Sequence, residues 1–166
     1  MKKFLFTVGA IMCLALMSVC LTSCGDDKEP DMEANYSASG DYDEEVTYFS
    51  QLASETGTRD TFNALRAELG TILTGEQWTV KYTKGNQDEV FKREDDAAKK
   101  KLTELENKVN AFKSKLEKLD KNDPKNQFYW SATLVMTCRR VSLSGEKIIE
   151  TKKTTFKYDA YHPTSD

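Results

Sequence analysis

The sequence predicts a two-layer α+β fold, in which one long amphipathic helix and a shorter helix pack on a mostly antiparallel sheet with a long C-terminal β-hairpin. Apolar residues recur in steps of four and three between Asn86 and Leu119, the spacing of one buried helical face. Apolar and polar residues alternate from Phe128 to Arg139, as in a strand with one buried face. At about 1.5 Å per helical residue and 3.3 Å per strand residue, the helix and the hairpin each span roughly 50 Å. The helix can therefore lie along the hairpin.

The long helix carries a narrow apolar stripe. Its members are Ala98, Leu102, Leu105, Val109, Phe112, Leu116 and Leu119. Asn86 and Glu89 have the spacing of a capping box that starts the helix, and Asp123-Pro124 closes it because the residue before a proline disfavours helix. We expect the stripe to pack on the chain's own sheet in a monomer. A coiled-coil dimer is the alternative, since Glu and Lys surround the stripe.

Shorter elements precede the long helix. The segment Val46–Leu52 is rich in β-branched and aromatic residues, which favours a short strand or a helical turn. A first helix is predicted from about Thr58, ending at Gly70 or Gly75. One side of that helix would carry Phe62, Leu65, Leu69 and Ile72. The segment Trp78–Tyr82 alternates with period two and predicts a strand.

The C-terminal hairpin turns at Ser144-Gly145, and its last strand runs from about Lys147 to Tyr158. A two-residue loop would place Lys153 and Lys157 on the apolar face. An odd-length loop, or one bulge, would place Phe156 and Tyr158 there instead. We predict the odd-length loop. The connection from the Trp78 strand through the long helix to the hairpin is predicted to be a right-handed parallel crossover.

The 166 residues provide for one domain with a core, preceded by a leader and a tether. We predict a cleaved signal peptide over residues 1–23, an acidic flexible tether over 24–45 and a single α+β domain over 46–166. The tether is rich in Asp, Glu, Ser and Ala and holds few large aliphatic residues, a composition that cannot offset chain entropy by burial.

Of the four cysteines, Cys13 and Cys20 fall in the leader, and Cys24 lies at the predicted cleavage site. Cys138 alone remains in the predicted domain, so an internal disulfide is excluded there. Its position on the apolar side of a strand predicts a small buried hydrophobe.

The leader begins with the basic residues Lys2 and Lys3, followed by the apolar run Phe4–Leu21, as in a signal peptide or a short membrane span. Leu21, Thr22, Ser23 and Cys24 then resemble the bacterial lipobox. This resemblance implies that diacylglycerol is attached to Cys24, that the signal peptide is cleaved before it, and that further acylation, as with palmitate, follows. The mature protein would be anchored to the membrane by lipid and would not span it.

The residues after Cys24 are Gly-Asp-Asp-Lys-Glu. This acidic patch resembles the leader of lipoproteins from the Bacteroides group, where such a patch is associated with display on the cell surface. The resemblance implies a lipid-anchored, surface-exposed location on the outer membrane, with Asp26, Asp27 and Glu29 as candidate export signals. A location on the periplasmic side of the same membrane remains the alternative.

The sequence contains no recognisable catalytic motif. His162 is the single histidine, which excludes a metal site with two histidines and a histidine-based triad. Glu94, Asp95 and Asp96 lie among Lys and Arg on the long helix, where we predict a charged solvent face. Paired-carboxylate catalysis needs two acids facing each other across a cleft. We therefore predict no enzyme activity, no metal and no cofactor.

The outward side of the hairpin is rich in hydroxyls and basic residues. A possible binding face there comprises Tyr129, Thr133, Arg139, Lys153 and Lys157. Its partner would be an acidic glycan or an envelope protein. The plain alternative is a solvent-facing strand that uses Thr for β propensity and Lys against edge aggregation.

Charge weighs against nucleic acid as a partner, because the net charge is -3 and the predicted tether is acidic. The sequence thus predicts a membrane-anchored, non-catalytic binding or scaffolding module of the cell envelope. The alternative function is an accessory protein of an envelope glycan-processing hydrolase system, with weak or no activity of its own.

Overall fold

The computed structural model describes residues 30–47 and 57–160 of the chain. The elements in chain order are strand β1 (Met32–Thr47), helix α1 (Thr58–Thr74), strand β2 (Glu76–Tyr82), helix α2 (Gln87–Glu117), a 3-10 turn (Pro124–Asn126), strand β3 (Tyr129–Ser142) and strand β4 (Gly145–Asp159). The two helices pack on a four-stranded antiparallel sheet, so the predicted two-layer α+β class is confirmed.

Helix α2 carries the predicted stripe. Its buried residues include Ala98, Leu102, Leu105, Val109, Phe112 and Leu116. The predicted capping box is absent, because the Asn86 side chain accepts a hydrogen bond from the backbone N–H of Thr83 (2.7 Å) and not from the helix. The helix also ends at Glu117, before the predicted stop. Asp123 and Pro124 instead begin the 3-10 turn, where the Asp123 carboxylate accepts from the Lys125 N–H at 2.9 Å.

Helix α1 begins at Thr58 as predicted and ends at Gly75. This glycine adopts φ 64°, a left-handed value that favours glycine, and its N–H donates to the carbonyl of Ile72 at 3.3 Å. The buried side of the helix consists of Phe62, Leu65, Leu69 and Leu73, together with Thr58. Ile72 is only partly buried at the rim of the core.

Strand β1 corrects the tether prediction. The strand order is β2-β1-β3-β4, so residues 32–45, assigned to a flexible tether, form most of an interior strand. Even-numbered residues of β1 face the helices; Ala34, Tyr36 and Ala38 are buried, and the others are partly buried. Odd-numbered residues, which include every acid of β1 except Glu44, face the other way. Within the described residues, the folded domain therefore begins near Met32 and not at residue 46. Val46 and Thr47 end β1, and residues 48–56 lie outside the described part.

Small residues in β1 allow helix α1 to approach the sheet closely. A Cβ atom added to Gly40 would lie 2.6 Å from Cδ2 of Leu73. A Cβ atom added to Gly75 would lie 1.9 Å from the carbonyl oxygen of Ala38. Residues that resembled a flexible spacer in the sequence are therefore those that permit close packing.

The position of β1 also changes the expected crossover. β2 and β3 each run antiparallel to β1, so they are parallel to each other, as predicted. They are not neighbours, however, because β1 lies between them.

The hairpin between β3 and β4 has a two-residue loop, since Ser142 pairs with Gly145. Our prediction of an odd-length loop is wrong. A register shift opposite Cys138 and Arg139 supplies the bulge that was the alternative. Phe156 and Tyr158 consequently lie opposite Ala132 and Trp130, on the side covered by the helices.

The core has its centre at Trp130, which is completely buried. Phe62 of α1 and Phe112 of α2 both meet the Trp130 ring edge to face, which shows that the two helices cover the same side of the sheet. The α2 stripe is thus buried within one chain. Cys138 is also completely buried, as predicted, and burial raises the pKa of its thiol.

Candidate functional site

The side of the sheet opposite the helices is the candidate site, and we call it the open face. It consists of Tyr129, Ser131, Thr133, Val135, Thr137 and Arg139 of β3, with the residues of β1 and β4 paired with them. None of these β3 side chains is buried. No helix of the described residues covers this face.

The structure brings the five predicted residues Tyr129, Thr133, Arg139, Lys153 and Lys157 onto the open face. The bulge is the reason for the position of the two lysines, because it puts Lys153 opposite Val135 and Lys157 opposite Ser131. The Nζ atom of Lys157 lies 5.4 Å from the ring centroid of Tyr129, within range of a cation–π contact. It also lies 3.4 Å from the Asp159 carboxylate.

Strand β1 adds acids that the sequence analysis placed in the tether. Asp41, Asp43 and Glu45 lie opposite Val135, Thr133 and Ser131 respectively. The acids on β1 and the lysines on β4 flank β3 on opposite sides, about two strand spacings or roughly 10 Å apart. Among the described residues, no ion pair joins β1 to β4. The open face is therefore acidic along β1 and basic along β4, whereas the sequence predicted a basic face.

Hydroxyl groups occupy the middle of the open face. Thr133 lies opposite Thr155, and the hydroxyl oxygens of Thr137 and Thr151 approach to 3.4 Å. Arg139, toward the loop end of the hairpin, is paired with Glu146 at 3.1 Å. This arrangement offers hydrogen-bond donors and acceptors between two lines of opposite charge.

A cavity of about 760 Å³ lies at the end of the sheet remote from the β3–β4 loop, with residues of both sides of the sheet in its lining. On the open face it is lined by Asp43, Glu45, Ser131, Thr133, Thr155 and Lys157. The remaining lining residues lie on the helix side: Glu44, Ala132, Phe156 and Tyr158 of the sheet, and Lys113, Leu116, Glu117 and Lys121 of α2 and the residues after it. Two of the five predicted residues, Thr133 and Lys157, contribute to it.

Of the three acids Glu94, Asp95 and Asp96 of α2, only Asp96 lies on the predicted solvent face. The side chains of Glu94 and Asp95 are only 14% and 13% exposed, whereas that of Asp96 is 61% exposed. Glu94 accepts a hydrogen bond from the indole N–H of Trp78 at 3.2 Å. The prediction was wrong for two of the three because helical periodicity locates the apolar stripe but not the polar groups of the sheet beside it.

Asp95 joins α2 to three strands. It accepts hydrogen bonds from the Tyr36 hydroxyl (3.2 Å), from Arg140 Nη1 (3.0 Å) and from Lys147 Nζ (3.0 Å). The Arg140 guanidinium lies 3.7 Å from the centroid of the Phe91 ring. Burial is the main cause that raises the pKa of Tyr36 to about 12. Each oxygen of Asp95 has a partner within the domain, which indicates a structural role.

A second polar cluster lies at the other end of the core. Glu44 accepts a hydrogen bond from the indole N–H of Trp130 at 3.0 Å and pairs with Arg66 at 2.5 Å. These contacts tie β1 to β3 and α1. Glu44 falls within the predicted tether, so this cluster was not predicted from the sequence.

The predicted lipid-attachment residue Cys24, the processing residues Leu21, Thr22 and Ser23, and the export-signal candidates Asp26, Asp27 and Glu29 lie outside the described residues, as does His162. In residues 30–47 and 57–160, no group of three or more His, Cys, Asp or Glu side chains could hold a metal ion. Over the same ranges, no helix is long and apolar enough to cross a membrane.

Fold and site define a two-layer α+β domain with one sheet face covered by helices and the other open. Comparison of the chain with known protein families, with curated proteins and with solved structures gave no match.

Proposed function

We propose that the protein is a lipid-anchored lipoprotein of the bacterial outer membrane, and that it binds or scaffolds a partner through the open face without catalysis. The observation that carries this proposal is the short distance along the chain between the lipobox and the domain. Strand β1 begins at Met32, about eight residues after Cys24, and these span at most about 30 Å when fully extended. The lipid would thus hold the domain close to the membrane.

Anchoring by lipid is strong enough to be permanent. Each buried CH₂ group contributes about 0.8 kcal/mol, so one acyl chain binds a membrane reversibly whereas two or three hold it stably. The acidic patch of Asp26, Asp27 and Glu29 supports display on the outer surface, by its resemblance to the leaders of the Bacteroides group.

The character of the open face supports binding to a partner with both signs of charge. A uniformly acidic glycan would meet the lysines of β4 favourably but would be repelled by Asp41, Asp43 and Glu45. An envelope protein with its own mixed charges can match both strands. We therefore favour a protein partner over an acidic glycan.

Fatty-acid labelling in the native host tests the anchor. Cys24→Ala should abolish incorporation of labelled fatty acid and leave an unprocessed or mislocalised protein, because the peptidase acts on the lipid-modified cysteine. Cys20→Ala is the matched control and should retain the label. Label that persists in Cys24→Ala would refute the anchor.

Protease accessibility tests surface display. Changing Asp26, Asp27 and Glu29 to Ala should reduce digestion of the protein by protease added to intact cells, while its total amount stays constant. Equal digestion of both forms would remove the support for these residues as an export signal.

Affinity capture from intact cells, with the lipidated protein as bait, tests the open face. The double variant Lys153→Glu/Lys157→Glu should lose a partner that the unchanged protein captures. The control Lys100→Glu/Lys108→Glu makes the same change of charge at exposed positions of α2 and should retain that partner. Equal recovery with both variants would exclude the open face as the binding surface. Loss of a glycan-processing enzyme from the first variant alone would favour the accessory role.

A further inference from the structure

The loop end of the β3–β4 hairpin carries exposed apolar side chains. Leu143 is 57% exposed and Ile148 is 64% exposed, and they are the large apolar residues of the described chain that stand out into solvent. Leu143 lies in the two-residue loop, and Ile148 lies on β4 opposite Arg139 at the bulge. We call Leu143, Ser144 and Ile148 the hairpin tip.

The hairpin tip lies at the end of the sheet where the folded domain begins. Asn35 of β1 is opposite Val141 of β3, so in an antiparallel pair Met32 is level with Ser144. Adjacent strands are about 4.8 Å apart, which brings the start of β1 to within about 10 Å of Leu143 and Ser144. Ile148 pairs with Arg139, which is level with Ser37 of β1, and so lies four residues farther along β4. The chain leading back to Cys24 therefore leaves the domain beside these exposed apolar residues.

We propose that the hairpin tip contacts the lipid bilayer in which Cys24 is anchored, with Leu143 and Ile148 entering the interfacial region. This inference rests on the lipid anchor of the proposed function. We choose the bilayer as the partner of the hairpin tip because of where the chain leaves the domain. About eight residues, at most about 30 Å of chain, separate β1 from the acylated cysteine. This short segment between Cys24 and β1 keeps the tip near the bilayer, which is an apolar phase.

The contact is apolar and not electrostatic. Lys147, beside the tip, donates to Asp95 at 3.0 Å, and Arg139 pairs with Glu146 at 3.1 Å. These cations are already engaged within the domain. On uncharged phosphatidylcholine, binding of the tip should therefore depend on its apolar side chains and not on salt. The exposed Lys81 and Lys84, at the same end of the sheet, would add an attraction only on anionic lipid.

The lipid anchor and the short segment after it explain how two apolar side chains are enough for contact with the membrane. Two side chains would not hold a protein of this size on a membrane from solution, but a short linker gives an effective concentration in the millimolar range. The lipid anchor then supplies the affinity for the membrane, and the tip contact sets the orientation of the domain. The strands stand away from the membrane, and the cavity beside Thr133 and Lys157 lies at the far end of the sheet, about 30 Å or more from the tip at 3.3 Å per residue.

Fluorescence of the mature lipidated protein, reconstituted in phosphatidylcholine vesicles, tests the inference. One sample carries an environment-sensitive fluorophore at Ser144→Cys in the tip. A second carries it at Asn122→Cys, an exposed position after α2 at the other end of the domain. The Cys138 thiol is buried, and acylation blocks Cys24. Quenchers are supplied either on the lipids or as iodide in the buffer.

We expect quenching lipids to reduce the emission of the tip label by about half and iodide quenching there to fall about threefold, as for a group in the bilayer interface. The Asn122→Cys label should respond to neither change. Leu143→Glu with Ile148→Glu should remove both effects at the tip, whereas high salt should preserve them.

Three results would overturn the inference, and they are distinguishable. If the protein is acylated and floats with the vesicles while both labels behave alike, the anchor holds and the tip contact is wrong. If the tip label is shielded from iodide but not quenched by lipid, a second copy or another protein covers the tip. If mass spectrometry finds no acyl group on Cys24, the proposed anchor and the tip contact both fail.

Discussion

Trp130 is the residue at which both helices and the hairpin meet, so its truncation tests the fold most directly. Its ring centroid lies 5.1 Å from that of Phe62, 5.9 Å from that of Phe112 and 4.9 Å from that of Phe156, with interplanar angles near perpendicular. Its indole N–H also donates to Glu44. Trp130→Ala removes all four interactions.

The expected loss is large. Truncating a large aromatic residue in a core costs about 3 to 5 kcal/mol, and an edge-to-face pair contributes about 0.5 to 1.5 kcal/mol beyond the burial of its area. With three such pairs and a donor to Glu44 removed, we expect a loss of about 4 to 5 kcal/mol in the free energy of unfolding, the upper part of that range. Phe112→Ala should cost about 3 to 4 kcal/mol, since it leaves the other contacts of Trp130 in place.

Urea unfolding of a soluble chain that begins at residue 30, followed by circular dichroism, measures these losses by linear extrapolation. Val135→Ala is the matched control, on the same strand but on the open face, and should cost less than about 1 kcal/mol. The midpoints should not change over a hundredfold range of protein concentration. A loss below about 2 kcal/mol for Trp130→Ala, or midpoints that rise with concentration, would refute the monomeric packing and favour a coiled-coil dimer through the α2 stripe.

Three further outcomes are expected. Gly75→Ala should destabilise the domain by more than about 2 kcal/mol in the same urea assay, because of its left-handed φ and its approach to Ala38, whereas Gly70→Ala, with open space around it, should stabilise by about 0.5 to 1 kcal/mol; the opposite order would contradict the packing of α1 on β1. The pKa of Tyr36 rises from 10.0 to about 12 on folding, so the unfolded chain releases its proton first; the stabilisation is complete below pH 10 and is lost as the pH rises through 12, by about 2 to 3 kcal/mol. Urea titrations across this range should show a shallower loss for Tyr36→Phe than for the control Tyr129→Phe, and equal slopes would contradict burial of Tyr36. A chain beginning at residue 46 should not fold, because it lacks the interior strand, whereas one beginning at residue 30 should give a native-like circular dichroism spectrum; cooperative unfolding of the shorter chain would show that β1 is dispensable.

Periodicity in the sequence determined the helices and the hairpin. The stripe of α2 and the alternation of β3 consist of large apolar residues, whose burial is favourable in almost any arrangement of the chain. Their spacing is therefore sufficient to predict which face is covered. It also indicated that one irregularity must correct the parity of β4, but not that a bulge would supply it in place of a longer loop.

Strand β1 was not predicted from the spacing of large apolar residues. Its residues also alternate, but the inward positions include Ala34, Ala38 and Gly40, whose burial contributes little free energy by itself. Such residues become interior only when another element approaches closely, as the end of α1 does at Gly40 and Gly75. The alternation was present in the sequence, and Tyr36 and Tyr42 on the same side were the signal that could have revealed it.

Part of the candidate site could likewise be predicted from the sequence, and part could not. The sequence by itself determined that Tyr129, Thr133 and Arg139 share one side of β3, since side chains alternate along a strand. Only the tertiary structure decided that the acids of β1 lie beside them and that Asp95 is bound to the sheet. These depend on strand order and on the approach of a helix, which bring together residues distant in the chain, and no local period in the sequence encodes them.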